Sequence, residues 1–193
     1  MGREFELKYR ATPEAQEALL RAYPGDWQRI SMETTYYDTP GGDLNRLHWT
    51  LRRRMENGVA VCTVKTPCPD GGRGEWEVNR EDIREAIPEL CAMGAPRQLL
   101  LCLGAELAEV CGARFTRQAL TVVAEGCTVE LALDRGSLLG GGKELPLCEI
   151  EAELKDGSEK AAVAFAGALA KEFGLTPEQG SKYRRALALA KGE

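Results

Sequence analysis

The chain has 193 residues, of which 44% are hydrophobic and 28% are charged, and its formal net charge is −5. This length suits a single well-packed domain, and the composition is typical of a globular protein rather than a disordered one. The acidic balance argues against a nucleic-acid binder, which would carry a basic excess. No apolar run is long enough to cross a membrane and no signal peptide opens the sequence, so we expect no membrane contact and a cytoplasmic location.

Cysteine usage argues against a further class of site. Seven cysteines and one histidine, His48, are present, and no Cys-x-x-Cys pair occurs. A zinc site built from cysteine and histidine is therefore not expected. The odd number of cysteines, placed mostly within apolar segments, indicates reduced thiols that pack as small hydrophobic side chains. His48 is expected to be a turn or packing residue rather than a catalytic base.

The first half of the chain is expected to form mostly strands. Residues 3–10, REFELKYR, alternate charged and apolar side chains, and this period of two is typical of a β-strand. A helix is expected from Pro13, with Thr12 as its cap. Asn57-Gly58 is a strong hairpin signal. The further strands expected in this half cover residues 29–39, 50–56, 59–67 and 73–80.

The second half is expected to mix helices with longer strands. From about Glu81 to Cys111 the pattern is helical, with breaks at two prolines. Mostly antiparallel strands with helices in separate runs are typical of one α+β domain. The remaining elements expected are two strands over 114–135, a flexible loop over 136–144, a strand over 145–157, a helix between Ser158 and Gly174, and a last helix over 180–191.

Nearly every expected strand has one apolar face and one face that carries acids or bases. If the sheet curls into a barrel with helices outside, these charged faces point into the lumen. Such a lumen must be wet and suits a highly charged guest. The charged faces carry Glu4, Glu6, Lys8, Arg52, Arg54, Lys65, Glu75, Glu77, Glu130, Asp134, Glu149, Glu151 and Glu153.

This combination of charges indicates a chemistry. Rows of carboxylates suit Mg²⁺ or Mn²⁺, and arginine or lysine side chains suit phosphate oxygens, so together they favour metal-assisted phosphoryl transfer. A single pair such as Glu75 and Glu77 on a strand more often faces solvent. Lys182 and Arg185, which share a helix face, are likewise more often a solvent-exposed pair than ligands. Only the presence of a charged face on nearly every strand favours a barrel with a charged lumen over an ordinary α+β domain whose charged faces are exposed to solvent. The arginines expected to lie on the surface are Arg3, Arg53 and Arg184.

The order of the motifs resembles the CYTH proteins, also called triphosphate tunnel metalloenzymes. An N-terminal Glu-x-Glu-x-Lys is followed in sequence by YYDTP, LRRR, TVKTP, GEWEV, RFTRQ, LALDRG, CEIEAEL and GSKYR. The match runs from residue 2 to about residue 190. The resemblance implies a single domain over residues 1–193, with an α+β fold in which an eight-stranded antiparallel β-barrel forms a tunnel flanked by helices.

The resemblance also implies roles for individual residues, with two Mg²⁺ or Mn²⁺ ions per site. The metal ligands would be Glu4, Glu6, Asp134, Glu149 and Glu151. The triphosphate would be bound by Lys8, Arg52, Arg54, Lys65, Arg117 and Lys182, with Lys8, Glu4 and Glu6 at the catalytic centre. Supporting roles would fall to Glu75, Glu77, Glu153 and Ser181.

The function that this predicts is hydrolysis of inorganic tripolyphosphate by a monomer or homodimer. Thiamine triphosphatase and class IV adenylate cyclase remain alternatives on the same fold, but the upstream His-Phe pair of that cyclase class is missing and no further helical phosphate-metabolism domain is expected. No aromatic cluster is clearly placed to hold an organic head group, and Trp76 is expected to face away from the lumen. A protein that binds polyphosphate or nucleotide without catalysis is the alternative from another class.

Overall fold

A computed structural model describes residues 2–68, 73–104 and 106–193, with the side chains of residues 2–4 outside this description. The strands in the described part form one sheet in which every neighbouring pair is antiparallel. These strands are β1 (Gly2–Glu4), β2 (Glu6–Arg10), β3 (Gln28–Asp38), β4 (Thr50–Glu56), β5 (Val59–Pro67), β6 (Arg73–Asn79), β7 (Ala108–Ala124), β8 (Cys127–Gly140), β9 (Lys143–Gly157) and β10 (Thr176–Pro177).

Helices complete the α+β fold that the sequence predicts. In the described residues none of them is long and apolar enough to cross a membrane. A 3₁₀ helix at Arg97–Leu100 precedes α4 directly. The α-helices are α1 (Pro13–Ala22), α2 (Asp43–Arg46), α3 (Ile83–Ala92), α4 (Leu101–Gly104), α5 (Glu159–Phe173) and α6 (Lys182–Lys191).

The strand order is β1-β6-β5-β4-β3-β7-β8-β9-β2-β10, so the hydrogen-bonded ladder is not a closed ring. Its two ends are nevertheless consecutive in the chain, because only Phe5 separates β1 from β2. One N-terminal segment therefore pairs with β6 on one side and with β9 on the other. With β1 and β2 counted as one strand, the described part of the sheet has nine strands, and the one beyond the expected eight is the two-residue β10 beside β2.

The expected helix caps are present. The Thr12 side chain accepts a hydrogen bond of 3.2 Å from the Ala15 N–H, and the Ser158 side chain accepts one of 3.1 Å from Ala161. Gly174 ends α5 with a φ of 65°, a left-handed conformation that glycine adopts without steric cost. These local signals fix the ends of α1 and α5, the two helices that cover the apolar face of β8 and β9.

Two apolar clusters hold helices against the outer face of the sheet. Trp76 packs with Ile87 and Leu90 of α3, so it faces away from the charged side as the alternation predicts. On the other flank, Leu131 and Ile150 pack with residues of α1 and α5. Burial of these side chains provides most of the driving force that keeps the charged residues on the opposite face of the sheet.

The last helix, α6, lies on the charged face instead. Its Ala186 packs with Met32, Phe115 and Leu138, and Phe115 is two residues from Arg117 on the same side of β7. These apolar residues thus form a patch on the same face of the sheet as the charged residues. This patch places the first turn of α6 next to them.

Two predicted boundaries are wrong. The helical pattern does not reach Cys111, because β7 begins at Ala108. The predicted loop over 136–144 is instead the end of the β8–β9 hairpin, in which Gly140 pairs with Lys143 around Gly141 and Gly142. Both turn glycines have positive φ values, 58° and 74°, and this tight turn lets the ladder continue to its end.

Candidate functional site

The charged faces of the strands border one cavity of about 410 Å³. Its walls come from β2 to β9 and from the first turn of α6, so the sheet curves around it as the lumen prediction requires. The side chains of Asp134 and Glu149 lie behind this wall, and that of Glu4 is outside the described part of the structure. The predicted site residues that line the cavity are Glu6, Lys8, Arg52, Arg54, Lys65, Glu75, Glu77, Arg117, Glu151, Glu153, Ser181 and Lys182.

Strand register brings the charged side chains of neighbouring strands together around the cavity. Glu6 lies opposite Glu153 across the β2–β9 pair, and Lys8 lies opposite Glu151. Lys65 lies opposite Glu75 across the β5–β6 pair, with the Lys65 ammonium 3.3 Å from the carboxylate. Residues directly opposite in an antiparallel pair have neighbouring side chains, so the alternation along each strand becomes contact between strands.

Three of the buried acids lie close together. Asp134, Glu149 and Glu151 each offer a carboxylate oxygen, and these oxygens all lie within 4.8 Å of one another. Asp134 and Glu149 have no exposed surface, and Glu151 is 8% exposed. Three converging carboxylates are the ligand type that Mg²⁺ and Mn²⁺ prefer, so the residues fit a hard divalent ion. We refer to these three residues as the acid triad.

The Lys182 ammonium lies among the three carboxylates of the triad. Its Nζ is 2.8 Å from Asp134 Oδ2 and 2.7 Å from Glu151 Oε1, and it also pairs with Glu149. An ammonium group has three donors, and here each has a carboxylate partner. Lys182 is therefore not a surface lysine. In this arrangement its ammonium donates to the three carboxylates and not to a group in the cavity.

Arg117 holds the triad from another side. Its Nε and Nη2 donate to the two oxygens of Asp134, at 2.8 and 2.7 Å, and Nη2 also donates to Glu151. Paired hydrogen bonds between arginine and a carboxylate fix both planes and not only the distance. Burial alone would raise the pKa of Glu151, but Lys182 and Arg117 outweigh it and hold that pKa well below its usual range. The buried group is thus a set of ion pairs.

Arg185 and Glu178 belong to the same network, and neither was predicted as a site residue. Arg185 Nη2 donates to Glu149, and its Nη1 lies 3.5 Å from Glu178 Oε2. Glu178 also accepts from Arg10 Nε at 2.5 Å and from the Gly180 N–H at 2.7 Å. The spacing of Arg185 from Lys182 was a signal, since residues three apart share a helix face. A surface position is the more common expectation for such a pair, whereas the family resemblance implies a substrate-binding role for Lys182 alone. The packing of α6 on the inner side of the sheet brings Arg185 into the same network.

Arg52 and Arg54 are less completely neutralised. The nearest carboxylates to Arg52 are those of Glu75 and Glu77, both at 3.6 Å, and its buried Nε has no hydrogen-bond partner among the described residues. Arg54 donates to the Thr34 hydroxyl at 2.8 Å and lies 3.7 Å from Glu56. Burial and the neighbouring Arg52 lower the pKa of Arg54 to about 10. Cations in this state favour an anionic guest.

The supporting residues have identifiable contacts. Glu77 accepts from the Thr63 hydroxyl at 2.9 Å, and Ser181 caps α6 by accepting from the Arg184 N–H at 3.2 Å. The side chains of Lys155 and Glu130 also line the cavity, although the sequence prediction did not assign Lys155 to the site. Lys155 lies 2.9 Å from Glu153 and 3.6 Å from Glu130.

An aromatic pair borders the cavity, which the sequence did not predict. The rings of Tyr36 and Tyr183 have centroids 5.2 Å apart, and both side chains are buried. The Tyr183 hydroxyl lies 3.5 Å from Asp38 Oδ2. Asp38 in turn accepts from the N–H groups of Leu44 and Asn45 at the start of α2. The YYDTP motif therefore supports α6 through Asp38. Of the five residues of this motif, Tyr36 is the one that lines the cavity.

Known proteins share both this sequence pattern and this fold. A family model described as the CYTH domain matches residues 2–187. The chain belongs to the CYTH family. It is 27% identical over 195 residues to an inorganic triphosphatase of Haemophilus influenzae, an alignment that covers 98% of this chain and 55% of that relative. The chain thus spans about half the length of this relative.

Solved structures confirm the CYTH fold. A protein of Hippeastrum, described as a putative adenylyl cyclase with a dominant triphosphatase activity, superposes with a TM-score of 0.66 at 22% identity, covering 98% of this chain and 95% of the other. The PH1819 protein of Pyrococcus horikoshii superposes with a TM-score of 0.65 at 25% identity, covering 96% and 99%. A putative adenylate cyclase of Bacillus halodurans gives 0.60 at 19% identity, covering 94% and 96%.

Proposed function

We propose that this CYTH protein is a metal-dependent hydrolase that cleaves inorganic tripolyphosphate into phosphate and pyrophosphate. The observation that carries the proposal is the pair Arg52 and Arg54, two largely buried cations that face the cavity and whose nearest carboxylates lie 3.6 and 3.7 Å away. Arginine can donate two parallel hydrogen bonds to phosphate oxygens. A linear polyanion in the cavity would neutralise both side chains.

The other cations extend this surface around the cavity. Lys8 and Lys65 approach from β2 and β5, and Arg117 from β7, so donors surround the space on several sides. A small, densely charged anion makes use of this arrangement, because each of its phosphate groups meets a different wall. The same arrangement explains how a chain with a net charge of −5 could bind an anion, since bases on several walls of the cavity would contact the guest directly.

The acids would hold the metal. We propose that Glu6 and the acid triad, together with Glu4, hold Mg²⁺ or Mn²⁺, two ions in all, which would supply neutralisation of phosphate charge and a water of lowered pKa. Arg52 and Arg54 would stabilise the charge that develops on the oxygens during P–O cleavage. A carboxylate at the cavity wall, rather than His48, would accept the proton of the attacking water. His48 lies in the turn after α2 with a φ of 57° and does not line the cavity.

The relatives support a reaction on a triphosphate. The Haemophilus influenzae relative carries the name inorganic triphosphatase, and the Hippeastrum structure is described by a dominant triphosphatase activity. Thiamine triphosphate and nucleotides would need a site for an organic head group. The aromatic pair Tyr36 and Tyr183 does not offer an open ring face, because only 3% and 5% of these residues are exposed. This burial favours the inorganic substrate.

A substrate panel tests the proposal. Phosphate release would be measured from tripolyphosphate, thiamine triphosphate and ATP, with Mg²⁺, with Mn²⁺ and with EDTA. We expect metal-dependent release that is fastest for tripolyphosphate. Faster turnover of thiamine triphosphate or ATP would reassign the substrate. Tight binding of tripolyphosphate without release of phosphate from any of the three would show a non-catalytic binder.

A further inference from the structure

The Lys182 ammonium occupies the position in the acid triad where a divalent ion would find the most ligands. It contacts all three carboxylates, and two of these contacts are 2.8 Å and 2.7 Å long. Asp134 and Glu149 have no exposed surface, and neither lines the cavity, whereas Lys182 does. The lysine side chain therefore lies between the cavity and the two innermost acids.

The charges of this network are balanced without any metal. Four carboxylates, those of the acid triad and Glu178, are paired with four cations, Lys182, Arg117, Arg185 and Arg10. A divalent ion added to a neutral group gains little net attraction, and it would meet the ammonium at close range. Lys182 and an ion at the triad are thus mutually exclusive in the arrangement observed.

Of the three cations paired with the acid triad, Lys182 is the one that is able to leave. Arg117 donates in pairs to Asp134, and Arg185 is tied to Glu149 and Glu178 at once. Lys182 has a flexible stem and already borders the cavity, so rotation of its side chain would move the ammonium from the acids towards a guest. Such a movement exchanges one cation for another at the triad without moving α6.

We propose that Lys182 is the resident cation of the acid triad, and that a divalent ion binds there only when the Lys182 side chain turns into the cavity. The proposal rests on the proposed function for the nature of the guest, because a phosphate group in the cavity would be the new partner of Lys182. Metal and triphosphate would then bind cooperatively, each favouring the conformation that the other needs. Lys182 would set the metal affinity of the free protein.

Mn²⁺ titration without any phosphate tests this directly, with free Mn²⁺ followed by electron paramagnetic resonance. We expect Lys182→Met to bind Mn²⁺ at least about tenfold more tightly than the unchanged protein, because the competing charge is removed. Lys182→Arg, which keeps a cation, and Arg184→Met, which removes an exposed cation from the same helix, should retain the original affinity. The gain should disappear when Asp134→Asn is added to Lys182→Met.

Equal Mn²⁺ affinity in the unchanged protein and in Lys182→Met would overturn the proposal, as would an equal gain in Arg184→Met. If Lys182→Met unfolds without metal, recovery of its circular dichroism on addition of Mn²⁺ supports the proposal, and failure to recover overturns it. The result is separable from the proposed function. Tighter Mn²⁺ binding by Lys182→Met without hydrolysis of tripolyphosphate would exclude only the proposed function. Hydrolysis by the unchanged protein with equal Mn²⁺ affinity in Lys182→Met would exclude only the proposed role of Lys182.

Discussion

The guanidinium of Arg185 donates a hydrogen bond to Glu149, a carboxylate of β9 that has no exposed surface. The same side chain reaches Glu178, which lies in the segment between β10 and α6. Arg185 therefore joins the last helix to the sheet through a buried charge. Removing one partner of such a pair leaves the other charge buried and unpaired, which costs far more than the net worth of the pair.

Arg185→Ala should accordingly lower the free energy of unfolding by about 3–5 kcal/mol. Arg184→Ala is the matched control, because Arg184 is the adjacent exposed arginine, and it should change stability by less than about 0.5 kcal/mol. Urea denaturation of both variants measures the difference. Equal effects at positions 184 and 185 would contradict the placement of Arg185 in the buried network.

Glu178 should make stability depend on pH. Burial alone would raise its pKa, but the Arg10 hydrogen bond and the Gly180 N–H outweigh burial and lower it. A carboxyl whose pKa is lowered by folding stabilises the protein above its unfolded pKa, about 4.3, and loses that contribution as the pH falls through the folded value. Glu178→Gln should therefore be less stable than the unchanged protein above about pH 5, with the gap closing below it.

Thermal unfolding of the two proteins across this pH range measures the gap. Glu144→Gln is a suitable control, because Glu144 is exposed at the start of β9, away from the segment that carries Glu178. A gap between Glu178→Gln and the unchanged protein that persists unchanged to low pH would show that the carboxylate charge is not what stabilises this segment.

Most of the sheet and of the cavity wall could be predicted from sequence, because both depend on alternation within single strands. Glu6 and Lys8 share a face by their spacing alone, and the same holds for Arg52 and Arg54. Trp76 has the opposite parity and packs against α3. The face on which a side chain lies follows from its position in the strand, so this prediction holds whatever the sheet packs against.

What could not be predicted depends on packing between distant elements. The roles of Arg185 and Glu178 follow from α6 lying on the inner face, and the apolar stripe of that helix is equally compatible with the outer face. The position of Lys182 among three acids depends on contacts with β8 and β9, which lie far away in sequence. The glycines of residues 136–144 predict a flexible loop, whereas Gly141 and Gly142 form the tight turn of a hairpin.

Arg52 and Arg54 should be sensitive to substitution, and Arg53 between them should not. Arg52→Ala and Arg54→Ala should each lower kcat/KM for tripolyphosphate by a factor that corresponds to about 2–4 kcal/mol, as loss of one preorganised donor does. Arg53 points to the other face, where its Nη1 donates to the Glu81 carbonyl oxygen at 3.2 Å. Arg53→Ala is therefore the internal control, and its kcat/KM should stay near that of the unchanged protein.

Steady-state kinetics at saturating metal measures all three variants. An equal loss at positions 52, 53 and 54 would contradict the assignment of alternate residues to the cavity, since a shift of one residue reverses the face of every side chain. A loss confined to position 53 would contradict it as well.

The last prediction concerns Glu6, which faces the cavity directly opposite Glu153 on β9. If these carboxylates help to hold a divalent ion, Glu6→Gln should raise the Mg²⁺ concentration that gives half-maximal turnover by about tenfold or more, since a neutral amide is a weaker ligand for a hard cation. Glu144→Gln is again the control, because this acid lies outside the cavity wall. The measurement is the rate of phosphate release against Mg²⁺ concentration at fixed tripolyphosphate. An unchanged Mg²⁺ requirement in Glu6→Gln would exclude Glu6 from the metal site, and it would leave the acid triad as the candidate ligand set.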